Sequence, residues 1–122
     1  MKYRIAKRIN PLNNESKFYP APQYMEELTL MDLAKDISDA CTLNVTDVDA
    51  VLTSLLRKLP MYLKSGFKIQ LGNFGRMKLS FSSKGFDNPD DVDSSAITTK
   101  RIIFTPSTEL KTEIESVSFS KL

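Results

Sequence analysis

The chain has 122 residues, 41% hydrophobic and 26% charged, and a formal net charge of +2. That is the length of one soluble globular domain, able to bury about two-thirds of its unfolded surface, and the charge is too small to announce a nucleic acid by itself. The absence of histidine excludes a histidine-based triad or zinc site, and a single cysteine excludes an internal disulfide. No stretch approaches the roughly 18 apolar residues of a membrane span, and the N-terminus has no apolar signal core, so a cytoplasmic protein is expected.

The charge lies in blocks. Residues 1–25 carry five cations against Glu15, residues 26–65 four cations against seven acids, and residues 66–82 three cations and no acid. Residues 83–98 then set Lys84 against Asp87, Asp90, Asp91 and Asp93. The segments with strand character are basic, and the helical segments and one loop are acidic.

In chain order, residues 2–9 are β-rich, with Tyr3, Ile5 and Lys7 opposite Arg4, Ala6 and Arg8. Asn10-Pro11-Leu12-Asn13-Asn14 is a turn, and residues 17–24 return as a strand that Pro20 and Pro22 confine to an edge. Residues 1–28 therefore read as an N-terminal β-hairpin extension laid against a main domain. It either shields a sheet edge or extends a basic surface through Lys2, Arg4, Lys7 and Arg8.

Thr29 is a good N-cap with Asp32 three residues on, and Leu30, Leu33, Ala34, Ile37 and Cys41 follow at helical spacing. Cys41 falls on that apolar stripe and is expected to be a buried small hydrophobe, not a reactive thiol. Thr46 is the expected cap of a second helix, with Asp47 and Asp49 in its first turn. Its stripe of Val48, Val51, Leu52, Leu55, Leu56, Leu59, Tyr62 and Leu63 is wider than a small domain needs. Pro60 lies inside it and should kink the helix. Such a face implies burial against a second copy of the chain; the rival is that the strands alone cover it.

Gly66 sits where a helix C-cap wants positive φ. Phe67, Ile69 and Leu71 alternate with Lys68 and Gln70, Gly72-Asn73-Phe74-Gly75 is a turn, and a second strand follows. On that strand Met77, Leu79 and Phe81 share one face, and Arg76, Lys78 and Ser80 the other. Residues 82–97 are polar, turn-rich and aperiodic, a length that is unusual within a compact domain. A strand resumes at Thr98-Thr99-Lys100-Arg101-Ile102-Ile103-Phe104-Thr105. A short helix is expected from Pro106 with Thr105 as its cap, and residues 116–122 form a tail or last strand.

This order of elements resembles the HU and integration host factor family of bacterial DNA-bending proteins. The resemblance runs through Thr29-Leu30 with Leu33, Ala34 and Ile37, then Thr46 to Leu63, Gly66, Ile69 and Leu71-Gly72-Asn73-Phe74-Gly75. It continues in Ile102 to Pro106 and Leu110-Lys111, covering about residues 29–115. The N-terminal hairpin and the Val117-Ser118-Phe119 tail look like the HU-related subgroup of gut Bacteroidetes. The resemblance implies an α+β fold with two N-terminal helices, a three-stranded antiparallel sheet, a protruding arm at about 83–98 and a short C-terminal helix. It also implies an intertwined homodimer that holds double-stranded DNA.

On that template the DNA-binding residues are Gly72, Asn73, Gly75, Arg76, Lys78, Ser80, Ser82, Lys84, Pro89, and Lys100 and Arg101, of which strand register decides which joins the DNA-facing sheet. The turn glycines leave room for backbone N–H groups to reach phosphate, and Pro89 stands where the family carries its intercalating proline. The family's arm is rich in arginine and lysine; this one reads Asp87-Asn88-Pro89-Asp90-Asp91, and its carboxylates repel phosphate. Binding through the sheet is therefore expected in place of bending by a wedge. The expected function is histone-like, sequence-tolerant DNA binding in the nucleoid; the alternative is an HU-fold interaction scaffold that has lost DNA. No enzyme, cofactor, metal, small-molecule substrate or membrane partner is expected.

Overall fold

A computed structural model describes residues 1–122. The chain divides into two compact units, one formed by Met1–Leu28 with Glu113–Leu122 and one by Thr29–Thr112. The C-terminal segment thus belongs with the hairpin.

In the first unit β1 (Lys2–Ile9) pairs antiparallel with β2 (Ser16–Gln23), from Lys2 opposite Gln23 to Ile9 opposite Ser16. The connecting loop is held by its asparagines: Asn10 Oδ1 accepts from the Leu12 N–H, and Asn13 Oδ1 from the Glu15 N–H. Asn14 takes φ +57°, a left-handed position that asparagine tolerates. On the other side of β1, β6 (Ser120–Lys121) runs parallel to it, giving the order β2-β1-β6. Pro20 and Pro22 therefore occupy an edge strand, where a missing N–H breaks no ladder.

The second unit opens with α1 (Leu30–Ala40), capped as expected. Thr29 Oγ1 accepts from the Asp32 N–H, and Asp32 Oδ2 accepts from the Thr29 N–H at 2.9 Å. The Thr29 N–H first, and then the Thr29 hydroxyl, which also donates to Asp32 Oδ2, hold the Asp32 carboxyl below the usual carboxylate range. In α2 (Val45–Lys64) the cap is Asn44, whose Oδ1 accepts from the Asp47 N–H at 2.9 Å, so Thr46 lies inside the first turn and is not the cap. The helix continues through Pro60 as one element.

Its C-terminus forms a complete Schellman motif. The Gly66 N–H reaches the Leu63 carbonyl and the Phe67 N–H the Tyr62 carbonyl, each at 3.1 Å, with Gly66 at φ +93°. The Tyr62 and Phe67 rings meet edge to face at 5.8 Å, closing the motif with an apolar contact.

The chain then enters an antiparallel sheet of β3 (Ile69–Leu71), β4 (Gly75–Ser83) and β5 (Ile97–Pro106). Ser82 pairs with Thr99 and Ser83 with Ile97, so Thr98 is bulged out. The last helix, α3, spans Thr108–Glu115 and begins later than expected. Pro106 still belongs to β5, and the cap is Ser107, whose Oγ accepts from the Leu110 N–H at 3.0 Å. The same hydroxyl donates to the Asn73 carbonyl, tying the β3–β4 turn to the helix start.

Only Ala34, Val48 and Leu63 are buried apolar side chains. Leu55 (43%), Leu56 (50%) and Tyr62 (50%) on α2 are open to solvent, as are Phe81 and Ile102 on the sheet. The strands of a single chain do not cover the stripe. Cys41, expected in the core, is exposed as the C-cap of α1, because the helix ends before its side chain can join the stripe. The chain exposes 10621 Å². Two separate globules dividing its mass as these units do would expose about 7,800 Å².

Two glycines differ in what they require. A Cβ on Gly66 would meet nothing within 4 Å, whereas one on Gly75 would lie 2.6 Å from the Thr105 carbonyl oxygen and 2.7 Å from the Phe104 ring. Gly66→Ala is expected to lower stability by about 1–2 kcal/mol through backbone strain alone. Gly75→Ala forces β4 from β5 and is expected to cost more, about 1–3 kcal/mol or above, with a loss of cooperativity. Denaturant melts of the two variants check the order.

Candidate nucleic-acid interface

Residues directly opposite each other on paired strands share a face of the sheet. Gln70 lies opposite Arg76, Arg76 opposite Thr105, Lys78 opposite Ile103, Ser80 opposite Arg101 and Ser82 opposite Thr99. These residues line one face. Met77 opposite Ile69 and Phe104, Leu79 opposite Ile102, and Phe81 opposite Lys100 line the other.

The register thus decides between the two cations left open by the sequence. Arg101 joins Arg76 and Lys78, and Lys100 lies on the apolar face across from Phe81. Arg101 is held in place by its own face: Nη1 donates to Ser82 Oγ at 2.9 Å. Arg76, Lys78 and Arg101 are all exposed, and none of the residues of β3, β4 and β5 is acidic. The strands of this face therefore carry only positive charge, with hydroxyls between the cations. It can donate hydrogen bonds to phosphate oxygens without desolvating a carboxylate.

Lys68 is a member that sequence reasoning missed. It lines a groove of about 210 Å³ with Arg76, Lys78, Ile103 and Thr105. The alternation around β3 already set Lys68 and Gln70 together; what was missing was the pairing that carries them to Arg76. Gln70, Asn73, Arg76, Thr105 and Glu109 line a second groove, of about 390 Å³, beside the turn.

The turn glycines do not act alike. Gly72, at φ +53°, and Asn73 are exposed, whereas the Phe74 N–H is taken by the Leu71 carbonyl at 3.0 Å. Gly75 is buried, and its missing Cβ admits Phe104 and Thr105. It is a packing glycine, with no open approach for phosphate.

Lys84 and Pro89 lie apart from the paired strands. The Lys84 ammonium sits 5.3 Å from the centre of the Phe86 ring. Pro89 opens a single 3-10 turn, Pro89–Asp91, capped by Asn88 Oδ1 accepting from the Asp90 N–H. A second such turn, Ser94–Ala96, follows Asp93, whose Oδ2 accepts from the Ser95 hydroxyl at 2.8 Å. The Ser95 side chain foremost, then the Ser95 and Ser94 backbone N–H groups, hold the Asp93 carboxyl below the usual carboxylate range.

A family model described as an HU domain fused to wHTH, Ig or glycine-rich motif matches residues 1–121. Among solved structures, a Bacteroides vulgatus protein described as a candidate bacterial DNA-binding protein superposes with a TM-score of 0.63 at 9% identity. That match covers 99% of this chain and 48% of the other, so the chain spans about half the length of the Bacteroides protein. Anabaena HU, solved in complex with DNA, superposes with a TM-score of 0.55 at 20% identity, covering 73% of this chain and 98% of that one. At these identities the likenesses show the fold. No curated protein matches the sequence.

The Asp93 hydrogen bonds are a pH-dependent feature with a defined sign. A carboxyl with a lowered folded pKa contributes order above its ordinary pKa and loses it as pH falls through the lowered value. In an NMR titration Asp93 is expected to titrate below an ordinary aspartate, and Ser95→Ala to return it towards the usual range.

Proposed function

This chain belongs to the HU-HIG family, and from that premise we propose that it binds double-stranded DNA through the Arg76–Lys78–Arg101 face of its sheet, as a homodimer that tolerates any sequence. The observation that carries the reading is the β4–β5 register, which gathers three exposed cations and two serines on one face whose strands carry no acid. Lysine, serine and guanidinium donors of this kind contact phosphates and fix position without reading bases. Nothing on the face has the helix or ribbon insertion that major-groove readout needs, so shape and charge govern binding.

The homodimer rests on the open leucines of α2 and the open apolar side of the sheet. The chain as a whole exposes 10621 Å², more than compact globules of its mass would, and pairing through these surfaces covers part of that excess. Pairing doubles the cationic face. Histone-like work in the nucleoid of a bacterial cytoplasm follows from such a binder. The acidic segment around Pro89 works against wedge insertion. Unstacking a base step costs a few kcal/mol, which arm–phosphate contacts must offset, and aspartates do not make them.

With three to four phosphate contacts per protomer, this face contributes about −5 to −7 per dimer to the slope of log affinity against log salt. Lys78→Glu is expected to weaken binding strongly, and Pro89→Ala and Lys100→Glu much less. A titration of wild type and the three variants against unrelated duplexes checks this. A flat salt dependence ends the mechanism and returns the scaffold reading; a dominant Pro89 effect restores the wedge.

Sedimentation of the wild type should return twice the 13.8 kDa chain mass. Leu56→Asp should lower that mass or unfold the chain, because the carboxylate would be buried without a partner.

A further inference from the structure

The hairpin unit has two faces of opposite character. The pairing of β1 with β2 sets Arg4 opposite Ala21, Ala6 opposite Tyr19 and Arg8 opposite Lys17, with Lys2 opposite Gln23 at the end. Lys2, Arg4, Arg8 and Lys17 therefore share one side of the sheet. Tyr3, Ile5, Phe18, Pro20 and Pro22 share the other. Lys7, which the sequence grouped with the basic residues, falls on that second side, and Lys17 takes its place.

Arg8 and Lys17 stand directly across the ladder from each other, an arrangement that is destabilising by itself because like charges are opposed. The Arg8 guanidinium lies 5.6 Å from the centre of the Tyr19 ring, which holds it extended over the strand. The one acid within residues 1–25, Glu15, sits in the loop at the end of this face, where it lines a groove with Arg8 and Lys17. The four cations exceed it by three. Residues two apart on a strand are about 6.8 Å apart, so the row from Lys2 to Arg8 spans about 20 Å, some six base-pair steps of a duplex.

We propose that this side of the hairpin sheet is a second contact surface for the phosphate backbone of double-stranded DNA, with Lys2, Arg4, Arg8 and Lys17 as its contacts. The inference rests on the reading of the chain as a DNA binder but not on the Arg76–Lys78–Arg101 face, and the two are separable. Charge complementarity selects the occupant. A polyanion of regular spacing relieves the opposed Arg8–Lys17 pair more fully than solvent and the single Glu15 carboxylate do. With no base-reading insertion, contact here adds affinity and footprint without sequence preference.

The test is fluorescence anisotropy with a labelled duplex of random sequence across a salt series. It compares wild type, the variant Lys2→Gln, Arg4→Gln, Arg8→Gln, Lys17→Gln, and the variant Arg76→Gln, Lys78→Gln, Arg101→Gln. The hairpin variant is expected to bind at least about tenfold more weakly at low salt, with a slope shallower by about three to four for each protomer engaged. Lys2→Arg with Lys17→Arg should keep the wild-type slope. If the quadruple variant does not fold by circular dichroism, Lys2→Gln with Lys17→Gln serves instead, with a slope change of about two.

A wild-type slope in the hairpin variant overturns this proposal alone and leaves the sheet-face reading standing. Unchanged binding in the Arg76 variant together with a loss in the hairpin variant overturns the sheet-face reading and keeps this one. A wild type that does not bind ends both. A hairpin variant that loses binding to anionic lipid vesicles but not to the duplex assigns the face to membranes and overturns the proposal.

Discussion

The register between β4 and β5 is the constraint on which the proposed DNA-binding surface depends. A slip of one residue along a strand carries every side chain to the opposite face. Here a slip would turn Arg76 and Lys78 inward and Met77, Leu79 and Phe81 out. Gly75 pins the pairing: it stands opposite Pro106 with the Thr105 carbonyl and Phe104 ring in the space a Cβ would fill. Ser107 adds a second fastening through the Asn73 carbonyl. The Gly72–Gly75 turn is thus a registration device first, and only at Gly72 and Asn73 open backbone.

What a single chain leaves open is equally informative. Apolar side chains recur at helical spacing along α2, yet only Val48 and Leu63 of that helix are buried. The helix is amphipathic towards something that one chain does not contain. The alternation of β4 has the same character, with its apolar side only half covered. Both are surfaces that the proposed homodimer would cover, leaving the charged side of the sheet free.

Local signals in the sequence were legible where the deciding contact lies within a few residues. Thr29 and Asp32 announce the first cap, Gly66 the end of α2, and Pro20 with Pro22 an edge strand; each is a rule about one turn or one hydrogen bond. The misses are of another kind. Asn44 and Thr46 are both good caps, and which one wins depends on where the α1–α2 connection lets the helix begin. Ser107 displaces Thr105 because β5 continues pairing through Pro106. Lys100 and Arg101 differ by one position, and only a partner strand separates them. Cys41 obeys the helical period but lies one residue past the helix. The basic side of the hairpin is the same lesson, since only the pairing of β1 with β2 brings Lys17 across from Arg8.

The parallel pairing of β6 with β1 joins opposite extremes of the polypeptide. The Met1 amine donates to the Ser118 carbonyl across 117 positions, and the Leu122 N–H reaches the Tyr3 carbonyl. Closing so long a loop is entropically expensive and slow compared with closing a hairpin. During synthesis the first strand must therefore wait, with one side of its ladder unsatisfied, until Ser120 and Lys121 have been made. By then Thr29–Thr112 has already been made and had time to collapse, so the β2-β1-β6 sheet is completed after that unit.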